Sequence, residues 1–163
     1  MEAENSPQVH PSERTEAYTS IVHTMSLYHV QLDEGDFVAF GKAFADNAVF
    51  ETTSGTRLVG RENICTTFAK RREERLKSHD PDKIFQRHHL TTRFIEIHDS
   101  ESASALSYVM LMSEIGLDHF GTYRDTFRNF SGDWLISHRR SQVEWISPQS
   151  RFRSGIGIGN SKN

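Results

Sequence analysis

Apolar residues in this chain recur at helical spacing up to about Lys77 and then alternate with polar residues to near residue 146, and that change of period limits the fold more than any other feature. Ile21, Met25, Tyr28 and Leu32 follow one another at steps of four, three and four residues and form one helical stripe. Glu34-Gly35 ends that helix, with Gly35 suited to the left-handed closing position. Asp36 then reads as the N-cap of a second helix carrying Phe37, Phe40 and Phe44. A short strand at 48–53 and a turn at Ser54-Gly55 precede a third helix from about Arg61 to Lys77. Four strands are expected at about 86–98, 103–115, 119–130 and 134–146, separated by turn-forming segments. Helices followed by strands predict an α+β fold, three helices packed on one face of a curved antiparallel sheet that encloses a pocket.

The chain's 163 residues fit one domain, expected at 13–147 between flexible tails at 1–12 and 148–163. The Gly155-Ile156-Gly157-Ile158-Gly159 run is not read as a phosphate loop, because no helix follows to supply an anion site. A net charge of −3 leaves no basic footprint for nucleic acid. The mixed charges of Lys70 to Lys77 read as a solvated helical face. Eleven phenylalanines suit a compact fold around an apolar pocket. The single cysteine, Cys65, excludes an internal disulfide and a paired-cysteine zinc site, and its amphipathic setting does not favour a nucleophile. No metal site is expected. No apolar run approaches the ~20 residues of a membrane span, and the amino terminus lacks a secretion pattern, so the expected location is the cytoplasm.

Asp33 and His88 are the candidate catalytic residues. Asp33 occupies the last turn of the first helix, where the negative end of the dipole disfavours a charged carboxylate and tends to raise its pKa. Such a carboxylate serves as a base or orients one; the same position also suits a solvated helix end. His88 opens the strand Gln86-Arg87-His88-His89-Leu90-Thr91-Thr92-Arg93-Phe94. Alternation places His88, Leu90, Thr92 and Phe94 on one face, read as inward, and His89, Thr91, Arg93, Ile95 and Ile97 on the other. The histidine pair therefore points in opposite directions, which disfavours a shared metal. A hydrogen-bonded core histidine is the competing reading for His88.

Gly121, Tyr123, Asp125 and Phe127 share a face of the third long strand, so Tyr123, Asp125 and Phe127 are candidate substrate contacts. Tyr28, on the helical stripe before Asp33, is a fourth. Tyr108 shares a face with Met110 and Met112, an arrangement read as core.

The order and spacing of several segments resemble the SnoaL-like members of the nuclear transport factor 2-like superfamily over about residues 15–146. The segments are Tyr28 with Leu32-Asp33-Glu34-Gly35-Asp36; Phe44 through Glu51; Gly60-Arg61-Glu62-Asn63-Ile64; Arg87-His88-His89-Leu90; Gly121-Thr122-Tyr123-Arg124-Asp125; and Trp134-Leu135-Ile136 with His138-Arg139-Arg140. The resemblance implies a cone-shaped fold. It also implies an Asp and His dyad, as in scytalone dehydratase and hexachlorocyclohexane dehydrochlorinase, which maps onto Asp33 and His88. The dehydratase's second histidine has no counterpart on the strand from Ser104 to Glu114. The implied activity is that of a cofactor-free lyase or isomerase (dehydratase, isomerase or cyclase) on an apolar oxygenated small molecule, such as a polyketide or terpenoid. The rival is a non-catalytic association module, like a dioxygenase small subunit. Either reading is compatible with a homodimer through the outer face bearing His89, Arg93, Ile95 and Ile97.

Overall fold

A computed structural model describes residues 10–78, 85–150 and 152. Helix α1 spans Pro11–Glu34, with Pro11 in the first turn, where its missing N–H costs nothing. His10 and Glu13 form a reciprocal capping box at its start. The predicted stripe is buried, with Ile21, Met25, Tyr28 and Leu32 all in the core. Gly35 closes the helix at φ 81°, and its N–H returns to the Gln31 carbonyl at 2.8 Å. Helix α2 spans only Phe37–Gly41, capped by the Asp36 carboxylate, which accepts from the Val38 and Ala39 amides at 3.1 and 2.9 Å. Phe44, expected on that helix, instead begins a strand.

The strands are β1 (Phe44–Thr52), β2 (Arg57–Val59), β3 (Gln86–Ile97), β4 (Ser102–Ser113), β5 (Gly116–Phe130) and β6 (Asp133–Ile146), with helix α3 (Arg61–Ser78) between β2 and β3. They form one sheet in the order β2-β1-β6-β5-β4-β3. The sheet is mixed rather than wholly antiparallel, because β1 runs parallel to β6, with Val49 opposite His138. Three helices pack on this curved, open sheet, and the core between them collects Ile21, Phe40, Phe44, Phe50, Ile64, Phe127 and Ile136.

Bulges revise two predicted faces. The β3–β4 register slips between Leu90 and Thr92, so Thr91 is an extra residue and the strand's sidedness reverses beyond it. His88 and Leu90 face inward as expected, but Phe94 is 62% exposed while Ile97 is buried and Ile95 packs against the core. The two isoleucines thus leave the outer face on which a dimer was expected. Tyr108 is also outward and exposed rather than core.

The described parts of the expected tails are anchored. Helix α1 already begins at Pro11, and Ser150 is buried and donates to Asp118 at 2.6 Å. The Gly-Ile-Gly-Ile-Gly run lies outside the described residues. No helix of the described residues is long and apolar enough to cross a membrane.

Candidate active site

The end of α1 meets the start of β3. Asp33 is 7% exposed and directs its carboxylate at His88, whose ring Nδ1 lies 2.6 Å from Asp33 Oδ1. The other oxygen, Oδ2, accepts the backbone N–H of His88 at 2.8 Å, and the Gln86 side-chain amide reaches Oδ1 at 3.3 Å. One residue therefore offers the carboxylate both its ring and its backbone, which fixes the relative orientation of the pair. An ionised carboxylate only accepts, so the network assigns the proton to Nδ1 and leaves Nε2 of His88 with its lone pair.

The helix end is held by α3. Arg72 donates from Nη1 to the Asp33 carbonyl at 3.1 Å, and Gln86 reaches the Leu32 carbonyl at 3.4 Å. Both carbonyls belong to the last turn, where no intrahelical donor remains. The cationic guanidinium there also opposes the negative end of the dipole.

A second ion pair lies deeper. Asp125 on β5 and Arg139 on β6 form a bidentate bridge at 2.7 and 2.7 Å, with both side chains fully buried. The Arg139 guanidinium carbon lies 4.0 Å from the ring centroid of Tyr28 and 4.3 Å from that of Tyr123, two rings set edge to face at 69°. Burial works against the Arg139 charge, but the charge and hydrogen bonds of Asp125 more than compensate and hold its pKa above the ordinary value. Burial raises the pKa of both tyrosines, keeping their phenols protonated as hydrogen-bond donors.

His29 completes the aromatic cluster, with its ring 4.9 Å from Tyr28, 5.6 Å from Tyr123 and 5.7 Å from His88. Burial, reinforced by the charges of Arg139 and His88, holds its pKa well below the ordinary histidine value. Three buried atoms in this region find no partner among the described residues: His29 Nε2, Ser107 Oγ and Arg139 Nη1. Ser107 lies opposite Tyr123 across the β4–β5 ladder. Buried polar atoms are ordinarily satisfied, so these three are hydrogen-bonding capacity that the described groups of the protein leave over near the Asp33–His88 pair.

The sequence-predicted residues thus separate. Asp33 and His88 meet in the expected geometry. Tyr28 and Tyr123 lie in the adjoining cluster around Arg139, and Asp125 lies there too, but both of its oxygens are occupied by Arg139. Phe127 is fully buried in the apolar core with Ile97 and Trp134. Arg139, His29, Ser107 and Gln86 lie in or beside this cluster and are not picked out by the sequence reading. His29 follows Met25 by four residues, a spacing that places it on the buried face of α1. Arg139 is hidden by a bulge: the β5–β6 register slips between Thr126 and Phe127, which makes Ser137 the extra residue and turns Arg139 inward.

The family model of the SnoaL-like domain matches residues 13–140, and the chain belongs to that family. Solved structures sharing the fold include LinA, with a TM-score of 0.71 and 15% identity, covering 91% of this chain and 97% of that one. A putative scytalone dehydratase of Novosphingobium aromaticivorans gives a TM-score of 0.69 at 16% identity over 85% of this chain and 91% of its own. Aln2 from a Streptomyces species gives 0.66 at 23% identity over 79% and 91%. At such identities the likeness is one of fold. No curated protein sequence matches this chain.

Two outcomes follow from these electrostatics. Asp125→Asn keeps the shape but leaves the buried Arg139 charge uncompensated, so urea unfolding should show a loss of ~3–5 kcal/mol, most of it recovered when Arg139→Met is added to Asp125→Leu. For pH, His29 and His119 are both held below 6.5, largely by burial. The unfolded chain then binds more protons than the folded one between their folded values and 6.5, so stability is full above 6.5 and declines as pH falls into that window. Denaturation midpoints collected from about pH 8 down to about pH 5 should fall more gently in His29→Leu than in the parent protein.

Proposed function

We propose that the protein is a cofactor-free lyase or isomerase acting on an apolar, oxygenated small molecule of the polyketide or terpenoid kind. The observation that carries this reading is the 2.6 Å contact between His88 Nδ1 and Asp33 Oδ1, with Asp33 Oδ2 held by the His88 amide. His88 Nε2 would take a proton from a carbon next to a substrate carbonyl. Asp33 keeps the imidazole in the tautomer that exposes Nε2 and stabilises the imidazolium once formed. The electron pair left by the C–H bond moves onto the carbonyl oxygen, toward a donor such as Arg139 Nη1 or the Tyr123 hydroxyl. The resulting enolate either expels a leaving group at the neighbouring carbon, as in a dehydration, or takes the proton back at another carbon, as in an isomerisation. Attack of that enolate on a second carbonyl would give a cyclisation.

A probe independent of the natural substrate tests the base. With 5-nitrobenzisoxazole, removal of the ring C–H proton breaks the N–O bond and releases a coloured cyanophenolate. The parent protein should accelerate this release, His88→Ala should lower the rate by ~10²-fold or more at unchanged circular dichroism, and Asp33→Asn should lower it by a smaller factor. An unchanged rate in folded His88→Ala would remove the assignment.

We also propose self-association through the outer face of the sheet, carried by residues other than the two isoleucines. Phe94, Tyr108 and Trp145 are 62%, 51% and 41% exposed there, and Phe120 stacks on Trp145 at 5.7 Å. An exposed aromatic face of this kind favours burial against a second copy. Light scattering at micromolar concentration should give the mass of a dimer, and Tyr108→Lys should shift it toward monomer; a monomeric parent protein would sink the proposal.

A further inference from the structure

Of the three unpaired buried atoms, His29 Nε2 restricts most sharply what can bind. Its partner nitrogen, Nδ1, lies 2.6 Å from the Met25 carbonyl. A carbonyl oxygen only accepts, so Nδ1 carries the proton and Nε2 is a bare acceptor. His29 is 6% exposed, and neither neighbouring tyrosine hydroxyl reaches Nε2. The charge that acts most strongly on it is that of Arg139, whose unpaired Nη1 is a donor. Imidazole and guanidinium both lie against the rings of Tyr28 and Tyr123, so the acceptor and the donor belong to one aromatic cluster. Ser107 adds a hydroxyl that serves in either sense.

A simple ketone or ether offers lone pairs only. It would satisfy Arg139 Nη1 and leave His29 Nε2 facing an oxygen with no hydrogen between them. A buried acceptor left in that state weakens the complex. We infer that His29 Nε2 accepts a hydrogen bond from a hydroxyl of the bound molecule, so that the site selects hydroxyl-bearing carbonyl compounds, with Arg139 Nη1 donating to an oxygen of the same molecule. This deepens the small-molecule reading above and rests on it for the carbonyl; His29 acts as a specificity residue and takes no part in the proton transfer assigned to His88.

The test compares 3′-hydroxyacetophenone, whose hydroxyl is too far from its ketone to bond internally, with 3′-methoxyacetophenone and acetophenone, by titration followed through ligand NMR. The hydroxyl compound should bind about tenfold more tightly than either analogue, and His29→Phe should reduce that preference to about twofold or less. His88→Ala should keep the preference, so failure of the base assignment and failure of this inference give different results. Equal binding of the three probes, as expected if a resident water satisfies His29, would overturn it. So would a preference that survives in His29→Phe, or no saturable binding of the hydroxyl compound by ~10 mM. A readout independent of the variant's folding is nitrogen-15 NMR of the parent protein, which should place the His29 proton on Nδ1; a proton on Nε2 would refute the proposal outright.

Discussion

The buried bridge between Asp125 and Arg139 is the interaction on which the interior of this protein depends. Removing two ions from water costs several kcal/mol each even after the surroundings relax, and a single contact rarely offsets that. Here the offset comes from four groups arranged together: the two carboxylate oxygens at 2.7 Å and the adjoining rings of Tyr28 and Tyr123, at 4.0 and 4.3 Å from the guanidinium carbon. Tyr28 belongs to α1, Tyr123 and Asp125 to β5, and Arg139 to β6. Satisfying one charge therefore ties the long helix to the two central strands and sets where the neighbouring His29 sits.

The two inward carboxylates have different duties because they have different neighbours. Asp125 faces a cation that never loses its proton, and all its acceptor capacity toward that cation is used in a rigid fork. Asp33 faces a ring that can gain and lose charge, and its remaining contacts are neutral N–H groups from Gln86 and the His88 backbone. A permanent cation makes a carboxylate structural, whereas a titratable one makes it responsive. Arg72, although it reaches the same helix end, binds the Asp33 carbonyl and leaves the carboxylate to the histidine.

Local rules make much of this legible in the sequence. The stripe on α1, the Gly35 closure and the Asp36 cap depend on neighbours within a turn, and each appears in place. Asp33 and His88 are legible because one sits at a helix end and the other at an inward position early in a strand, before any bulge intervenes. Beyond such a point, alternation loses its phase. Thr91 reverses the sides of Phe94 and Ile95, and Ser137 reverses those of His138 and Arg139. Neither bulge carries a glycine to announce it, and each is set by pairing with a neighbouring strand rather than by the residues beside it. The parallel pairing of β1 with β6 is invisible for the same reason, since it joins segments separated by most of the chain.

That pairing bears on the order of events during synthesis. Strand β6 is the last of the described strands to leave the ribosome, yet it occupies the middle of the sheet, between β1 and β5. The hairpins from β3 to β5 can zip locally, while β1 and β2 wait without their central neighbour until residues 133–146 arrive. Asp125 likewise emerges before the arginine that neutralises it in the folded sheet. Completion of the sheet and neutralisation of its interior charge thus coincide with the insertion of one late segment. A nascent chain stalled short of Arg139 would expose both an unpaired sheet edge and an apolar helix face, the features that chaperones and proteases act upon.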